Sequence, residues 1–354
     1  MKKPMTFKNF IMILLAPIIL VLIFTIVVDP FFHYHAPLKN MPYLLKDERY
    51  QNDGIVKHFE YEAIISGSSE TENFKASEFE ELFGVNTVKT CFAGGNFNEV
   101  NRLVETALAK NRELKVVFRS LDLNQINSDK DKMEYDEYPT YLYDSNPLND
   151  YKYIFNKYVF LQCMNTIAGK FTGKKMTDFD EYAFFADKHA FGKEAVLSTF
   201  ARMEETGEKD EHLTDEEKEQ IRANLEQNVI NAAVNNPDVR FIFFFPPYSA
   251  YYWDAVIRTG QFEKTLETEK YAYELLTNVP NIELYSFNGE SDITCNPDNY
   301  MDTLHYSAQI NSLILSRISE GDNRIEAEDV AAQIEKERVL YGGFDYDTLF
   351  DGLK

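Results

Sequence analysis

Cysteine is scarce. Cys91, Cys163 and Cys295 stand far apart in 354 residues, with no CxxC pair and no Cys/His spacing. No cysteine-based zinc site is expected, nor any metal or other cofactor. Cys91 lies in an apolar run and is expected in the core; one cysteine pair remains free to form a disulfide outside a cell. Basic residues are also in short supply: 36 Lys+Arg against 58 Asp+Glu leave a net charge of −22. Such a chain repels a phosphate backbone, so nucleic acid is not expected among its partners. The C-terminal end carries no lipidation motif.

Charge is missing altogether from Phe10 to Val28, FIMILLAPIILVLIFTIVV. As a helix rising 1.5 Å per residue, this run just spans a hydrocarbon core of about 30 Å. Lys2, Lys3 and Lys8 precede it and Asp29 follows, so the positive-inside rule predicts a cytoplasmic N-terminus with the rest of the chain outside. A cleaved signal peptide is the alternative. Its apolar run would be shorter and would end in a small-x-small site, whereas this one ends VVDPFFHYHAP. Pro17 predicts a kink. The cluster Phe31, Phe32, His33, Tyr34 and His35 reads as an aromatic belt at headgroup level in preference to a two-histidine metal site.

The chain accordingly divides into a cytoplasmic N-terminus (1–9), a transmembrane helix (10–28), a juxtamembrane linker (29–59), an α/β domain (60–318) and an acidic tail (319–354). Within the domain, short apolar runs end in turn formers: Ala63-Ile64-Ile65 before Gly67-Ser68-Ser69, Val88 to Phe92 before Gly94-Gly95, Leu114 to Phe118 before Leu121-Asp122, and Phe241 to Phe245 before Pro246-Pro247. Ile282 to Tyr285 is a further strand. These are the marks of buried parallel strands. Ala76 to Phe83, Asn98 to Lys110 and Glu263 to Leu276 have helical spacing, and Thr214 with Glu217 forms a capping box at the start of a charged helix. The predicted fold is α/β, a doubly wound, flavodoxin-like parallel sheet. An insertion at about 128–211 interrupts it. Tyr135, Tyr138, Tyr141, Tyr143, Tyr151, Tyr153 and Tyr158 of that insertion either line a groove for sugars or simply cover it.

In a parallel sheet the strand ends converge, so the GSS, AGG and LD turns are expected to be neighbours. A serine hydroxyl needs a base within hydrogen-bond reach before it can attack a carbonyl. Asp302 and His305, in YMDTLHY, lie three apart, so the carboxylate can hold Nδ1 while Nε2 faces a serine. The bland reading is a surface D-x-x-H whose aspartate caps a helix.

With these residues in view, the sequence resembles the SGNH/GDSL hydrolases, and in particular their membrane-anchored branch, which is DltD-like or similar to the alginate-acetylation proteins. Gly67-Ser68-Ser69 matches the first block and implies that Ser69, not Ser68, is the nucleophile. Gly94 matches the second-block glycine, whose N–H joins that of Ser69 in the oxyanion hole, and Asp302-Thr303-Leu304-His305 matches the fifth block. The third block departs from the pattern. Asp122 stands where an asparagine donor is usual, and an ionised carboxylate cannot donate; Asn124 or Asn96 is expected to replace it. The resemblance implies an extracytoplasmic serine esterase or acyltransferase acting on acetyl or D-alanyl esters of a cell-envelope polymer, either teichoic acid or exopolysaccharide. A multi-spanning membrane O-acyltransferase is the implied partner. Two other readings stay open: a non-catalytic SGNH-like binding or assembly subunit of such a complex, and a lipase or peptidase acting on free substrates.

Overall fold

The computed structural model describes residues 6–133, 139–207 and 209–351. Two compact units result: residues 1–59 with 137–178, and residues 60–136 with 179–354.

The first unit begins with helix α1, Phe7–Val28, capped by the Thr6 hydroxyl. Among the described residues it is the one helix long and apolar enough to cross a membrane. It ends at Asp29, whose φ of 42° turns the chain sharply. An acid at a helix C-terminus opposes the dipole, but here it gathers donors: the N–H groups of His33 (3.0 Å), Tyr34 (2.7 Å) and His35 (3.1 Å), and the Tyr153 hydroxyl (2.6 Å). The turn therefore folds back around a buried carboxylate.

That fold-back corrects the expected aromatic belt. Phe31 and Phe32 are fully buried, Phe31 in a core with Val28, Leu142, Tyr153, Val159 and Cys163. His33 faces Asp150 at 3.4 Å, whereas the His35 ring lies between the Ala36 and Ile26 carbonyls. Helix α2, Glu48–His58, completes this part. The tyrosines of residues 139–178 belong largely to the same core: Tyr153 is buried, Tyr158 donates to Asp47 at 2.5 Å and Tyr143 to the Arg49 carbonyl at 2.7 Å. Tyr151 is exposed, and Tyr135 and Tyr138 lie outside the described residues, as do Lys2 and Lys3.

The second unit is α/β. Strands β1 (Ala63–Gly67), β2 (Thr87–Cys91), β3 (Val116–Ser120), β4 (Arg240–Phe245), β5 (Ile282–Ser286) and β6 (Arg324–Ile325) form one sheet in the order β2-β1-β3-β4-β5-β6. The first five are parallel and β6 is antiparallel, which is the doubly wound order with an added edge strand. Successive side chains alternate between faces. Phe118, Ile242 and Phe244 join a core with Phe79 of helix α3 (Ala76–Phe83) and Ile314 of helix Ala308–Glu320. On the opposite face Phe245 meets Tyr273 of helix Phe262–Leu276, ring centroids 4.7 Å apart. Helix α4, Phe97–Lys110, follows β2. The order reverses at β1, so the turns after β1 and β3 flank the switch point where such sheets bind ligands.

Candidate active site

Ser69 opens a single 3-10 turn, Ser69–Thr71, directly after β1. The entry to that turn demands glycine: Gly67 has a φ of +148°, and a Cβ there would lie 2.6 Å from the Ser120 hydroxyl and 2.8 Å from Thr71. The turn is then locked by its own side chains. Thr71 donates to the Ser68 carbonyl at 2.7 Å. From β2, the buried Lys89 ammonium donates to the carbonyls of Glu72 (2.6 Å) and Phe74 (2.9 Å).

His305 arrives from the other end of the chain, on a tight loop closed by an antiparallel bridge between Tyr300 and Tyr306. Ser249, just past β4, donates its N–H and hydroxyl to the Thr303 carbonyl (3.2 and 2.7 Å), and the Tyr300 hydroxyl donates to the Pro247 carbonyl at 2.7 Å. The Tyr306 hydroxyl and the Asn311 amide both reach the Glu70 carbonyl at 3.2 Å, tying this loop to the serine turn.

The three expected residues meet. Ser69 Oγ lies 2.7 Å from His305 Nε2, and His305 Nδ1 lies 2.7 Å from Asp302 Oδ2. Asp302 Oδ1 accepts the N–H groups of Leu304 (2.8 Å) and His305 (2.7 Å), which fixes the carboxylate. Burial pushes Asp302 up, but its bonds from His305 and Leu304 outweigh that and hold it below the usual carboxylate range. For His305, burial pulls downward, while the Glu70 and Asp302 carboxyls raise it to about 9. The Phe185 ring meets the imidazole edge-on, centroids 5.7 Å apart. A cleft of about 250 Å³ opens beside the histidine, lined by Thr199, Phe200 and residues 302–305.

Two buried carboxyls stand close to this chain of hydrogen bonds. Glu70 Oε1 is 3.9 Å from His305 Nε2, and its Oε2 has no partner among the described residues. Burial pushes Glu70 up to about 8. Asp122, just past the end of β3, is also raised by burial, against the opposing pull of a Ser68 hydrogen bond and Arg119. Arg119 is itself buried in β3, donating to the carbonyls of Asn228 (2.7 Å) and Phe97 (3.3 Å). Its ordinary value is brought down by burial to about 9.

The remaining candidates separate. Phe92 N–H donates to the Gly67 carbonyl at 2.9 Å, bringing the Gly94 turn alongside the end of β1. Gly94 has a φ of 60° and is exposed. Asn96 is buried and caps α4 through Oδ1, which accepts Glu99 N–H at 3.2 Å; its Nδ2 is left without an acceptor among the described residues. Asn124 is exposed, with Oδ1 taken by the Tyr252 hydroxyl at 2.9 Å. Glu70, Lys89 and Phe185 escape a reading of the sequence. Only Glu70 has a visible signal, an acid immediately after the serine of a strand-end turn.

No family model and no curated protein matches the chain. Among solved structures, a protein from Streptococcus pneumoniae provisionally described as a platelet activating factor aligns with a TM-score of 0.38 at 12% identity, covering 77% of this chain and 89% of that chain. The chemistry of the site therefore rests on its own geometry.

Proposed function

We propose that the chain is a membrane-anchored serine acyl-ester enzyme of the SGNH type, with Ser69 as nucleophile, His305 as base and Asp302 as its orienting carboxylate. The observation that carries this reading is the unbroken line of two 2.7 Å hydrogen bonds from Asp302 through His305 to Ser69. In the proposed step Ser69 Oγ attacks the acyl carbonyl carbon and passes its proton to His305 Nε2. His305 returns that proton to the leaving oxygen as the ester bond breaks. A second hydroxyl, from water or an acceptor, then attacks the acyl carbon and gives its proton to His305, which passes it to Ser69 Oγ as the acyl–Ser69 bond breaks. The N–H groups of Ser69 and Gly94 are the proposed oxyanion donors, and Asn96 Nδ2, buried and unspent, is a better third donor than the exposed Asn124.

The substrate class we propose is an acetyl or D-alanyl ester of an envelope polymer, teichoic acid or exopolysaccharide, met outside the cytoplasmic membrane. Its supports are the apolar helix α1, the lysines before it and the resemblance of the GSS and DTLH blocks. A single span cannot carry acyl groups across a bilayer, so a multi-spanning O-acyltransferase is the proposed donor partner. One observation favours a second reading, a binding subunit without turnover: Asp122, an acid, occupies the position of the usual third-block donor.

Fluorophosphonate labelling of the full-length protein between pH 7 and pH 10 tests the reading. Labelling that is lost in Ser69→Ala and His305→Ala but kept in Ser68→Ala is the expected result. A folded wild type that does not label across that range refutes catalysis and leaves the binding subunit.

A further inference from the structure

The first unit carries exposed apolar surface that its own core does not use. On helix Lys157–Phe171, Val159, Cys163 and Thr166 face inward, whereas Leu161, Met164, Ala168 and Phe171 are exposed. Their spacing of three, four and three residues puts them on one stripe. Phe171 is 84% exposed, and Leu148, earlier in the same unit, is 85% exposed. The start of this helix lies against the last turns of α1. Phe160 meets Phe24 edge-on with centroids 5.6 Å apart, and the Thr25 hydroxyl donates to the Ile154 carbonyl at 3.3 Å. The stripe thus begins where the exposed apolar surface of α1 ends.

The charge of the same region runs against that of the chain. In a protein of net charge −22, Lys152, Lys157, Lys170, Lys174 and Lys175 are all exposed here. Lys174 and Lys175 border, with Lys39, a cleft of about 420 Å³. An apolar stripe flanked by lysines suits the boundary between acyl chains and anionic headgroups, where both parts are satisfied at once.

We propose that helix Lys157–Phe171 is a second membrane contact, lying in the surface of an anionic bilayer beside α1. It rests on α1 spanning that bilayer, and the experiment separates the two. Full-length protein in a Cys295→Ser background, its other cysteines buried, is spin-labelled singly at Leu161→Cys, Phe171→Cys, Leu20→Cys and Val339→Cys. It is reconstituted in phosphatidylcholine–phosphatidylglycerol vesicles, and collision with oxygen is compared with collision with a water-soluble nickel complex. The expected oxygen-to-nickel ratio at 161 and 171 is several-fold above that at the exposed Val339 and approaches that at Leu20. Ratios at 161 and 171 equal to Val339, with Leu20 in lipid, overturn the inference and spare the anchor. Poor access to both reagents at 161 and 171 also overturns it, since protein and not lipid then covers the stripe. If Leu20 itself is aqueous, the anchor fails and the inference falls with it.

Discussion

The carboxyl of Glu70 stands 3.9 Å from His305 Nε2, on the ring nitrogen that also faces Ser69 at 2.7 Å. The histidine is therefore held between two acids, Asp302 at Nδ1 and Glu70 near Nε2. Negative charge on either stabilises the imidazolium, which burial alone would disfavour. A base with its proton held to about pH 9 works best on the alkaline side. The rate of fluorophosphonate labelling is expected to rise with pH through that region, well above the ordinary histidine value of about 6.5. Glu70→Gln removes the charge that Glu70 carries once it ionises, near pH 8, so the midpoint should move down. An unchanged midpoint in a variant that still labels removes Glu70 from the electrostatics of the site.

The proposed donor role of Asn96 is separable from its cap, because Oδ1 caps α4 while Nδ2 has no acceptor among the described residues. Serine can cap a helix but offers no amide. Asn96→Ser is expected to keep stability within about 0.5 kcal/mol of wild type while slowing acylation by about 10²-fold, the cost of one oxyanion donor. Equal acylation rates, with thermal unfolding as the control for folding, would assign Asn96 to the cap alone.

Gly67 and Gly84 provide an internal comparison. Both have positive φ, but a Cβ on Gly84 meets nothing within 4 Å, whereas one on Gly67 collides with Ser120 and Thr71. Gly84→Ala should cost about 1–2 kcal/mol for backbone strain alone. Gly67→Ala adds a collision, for a total of about 2–4 kcal/mol, and should displace Ser69 so that labelling falls even where the protein remains folded. Denaturant unfolding measures the first quantity; equal costs for the two variants would contradict the packing seen at Gly67.

Glu269 and Glu337 are both fully buried and act on each other electrostatically, with burial pushing both upward from the usual carboxylate value. The unfolded chain loses these protons near the ordinary value of about 4.3; the folded chain keeps them to higher pH. The folded state thus binds more protons over that window, so the stability they contribute is full below the unfolded value and is lost as pH rises through the folded ones. Glu337→Gln is expected to raise the melting temperature at pH 8 by about 2–4 °C and to lose that advantage towards pH 4. A difference that does not vary with pH refutes the assignment.

What the sequence revealed and what it hid follow from how each feature is encoded. Buried parallel strands are short apolar runs closed by turn formers, so β1, β2, β4 and β5 were legible, and β3 was placed two residues early, at Leu114 to Phe118 instead of Val116–Ser120. The edge strand β6 has two residues, too few for any periodicity. Residues 139–178 read as an insertion in the α/β domain, yet they share a unit with residues 1–59; tyrosines alone do not say which core they enter. That Ser69 and His305 would be neighbours was legible because strand-end turns converge, and Asp302 followed from its spacing to His305. Lys89 and Arg119 were not, since a charge within a strand argues for exposure until its carbonyl partners are seen. Glu70 lay in plain view, but the partners of its backbone carbonyl, Tyr306 and Asn311, are more than 230 positions away.

The same distance governs when the site comes into being. The turn bearing Ser69 follows the first strand, while its base sits 236 residues later, between β5 and β6. A chain emerging N-terminus first presents its serine long before any histidine can reach it, and closing so long a loop is slow compared with local folding. On the proposed reading, the hydroxyl has no base until then. Its labelling would report that the sheet has been completed as far as β5, which would make Ser69 a built-in indicator of finished folding.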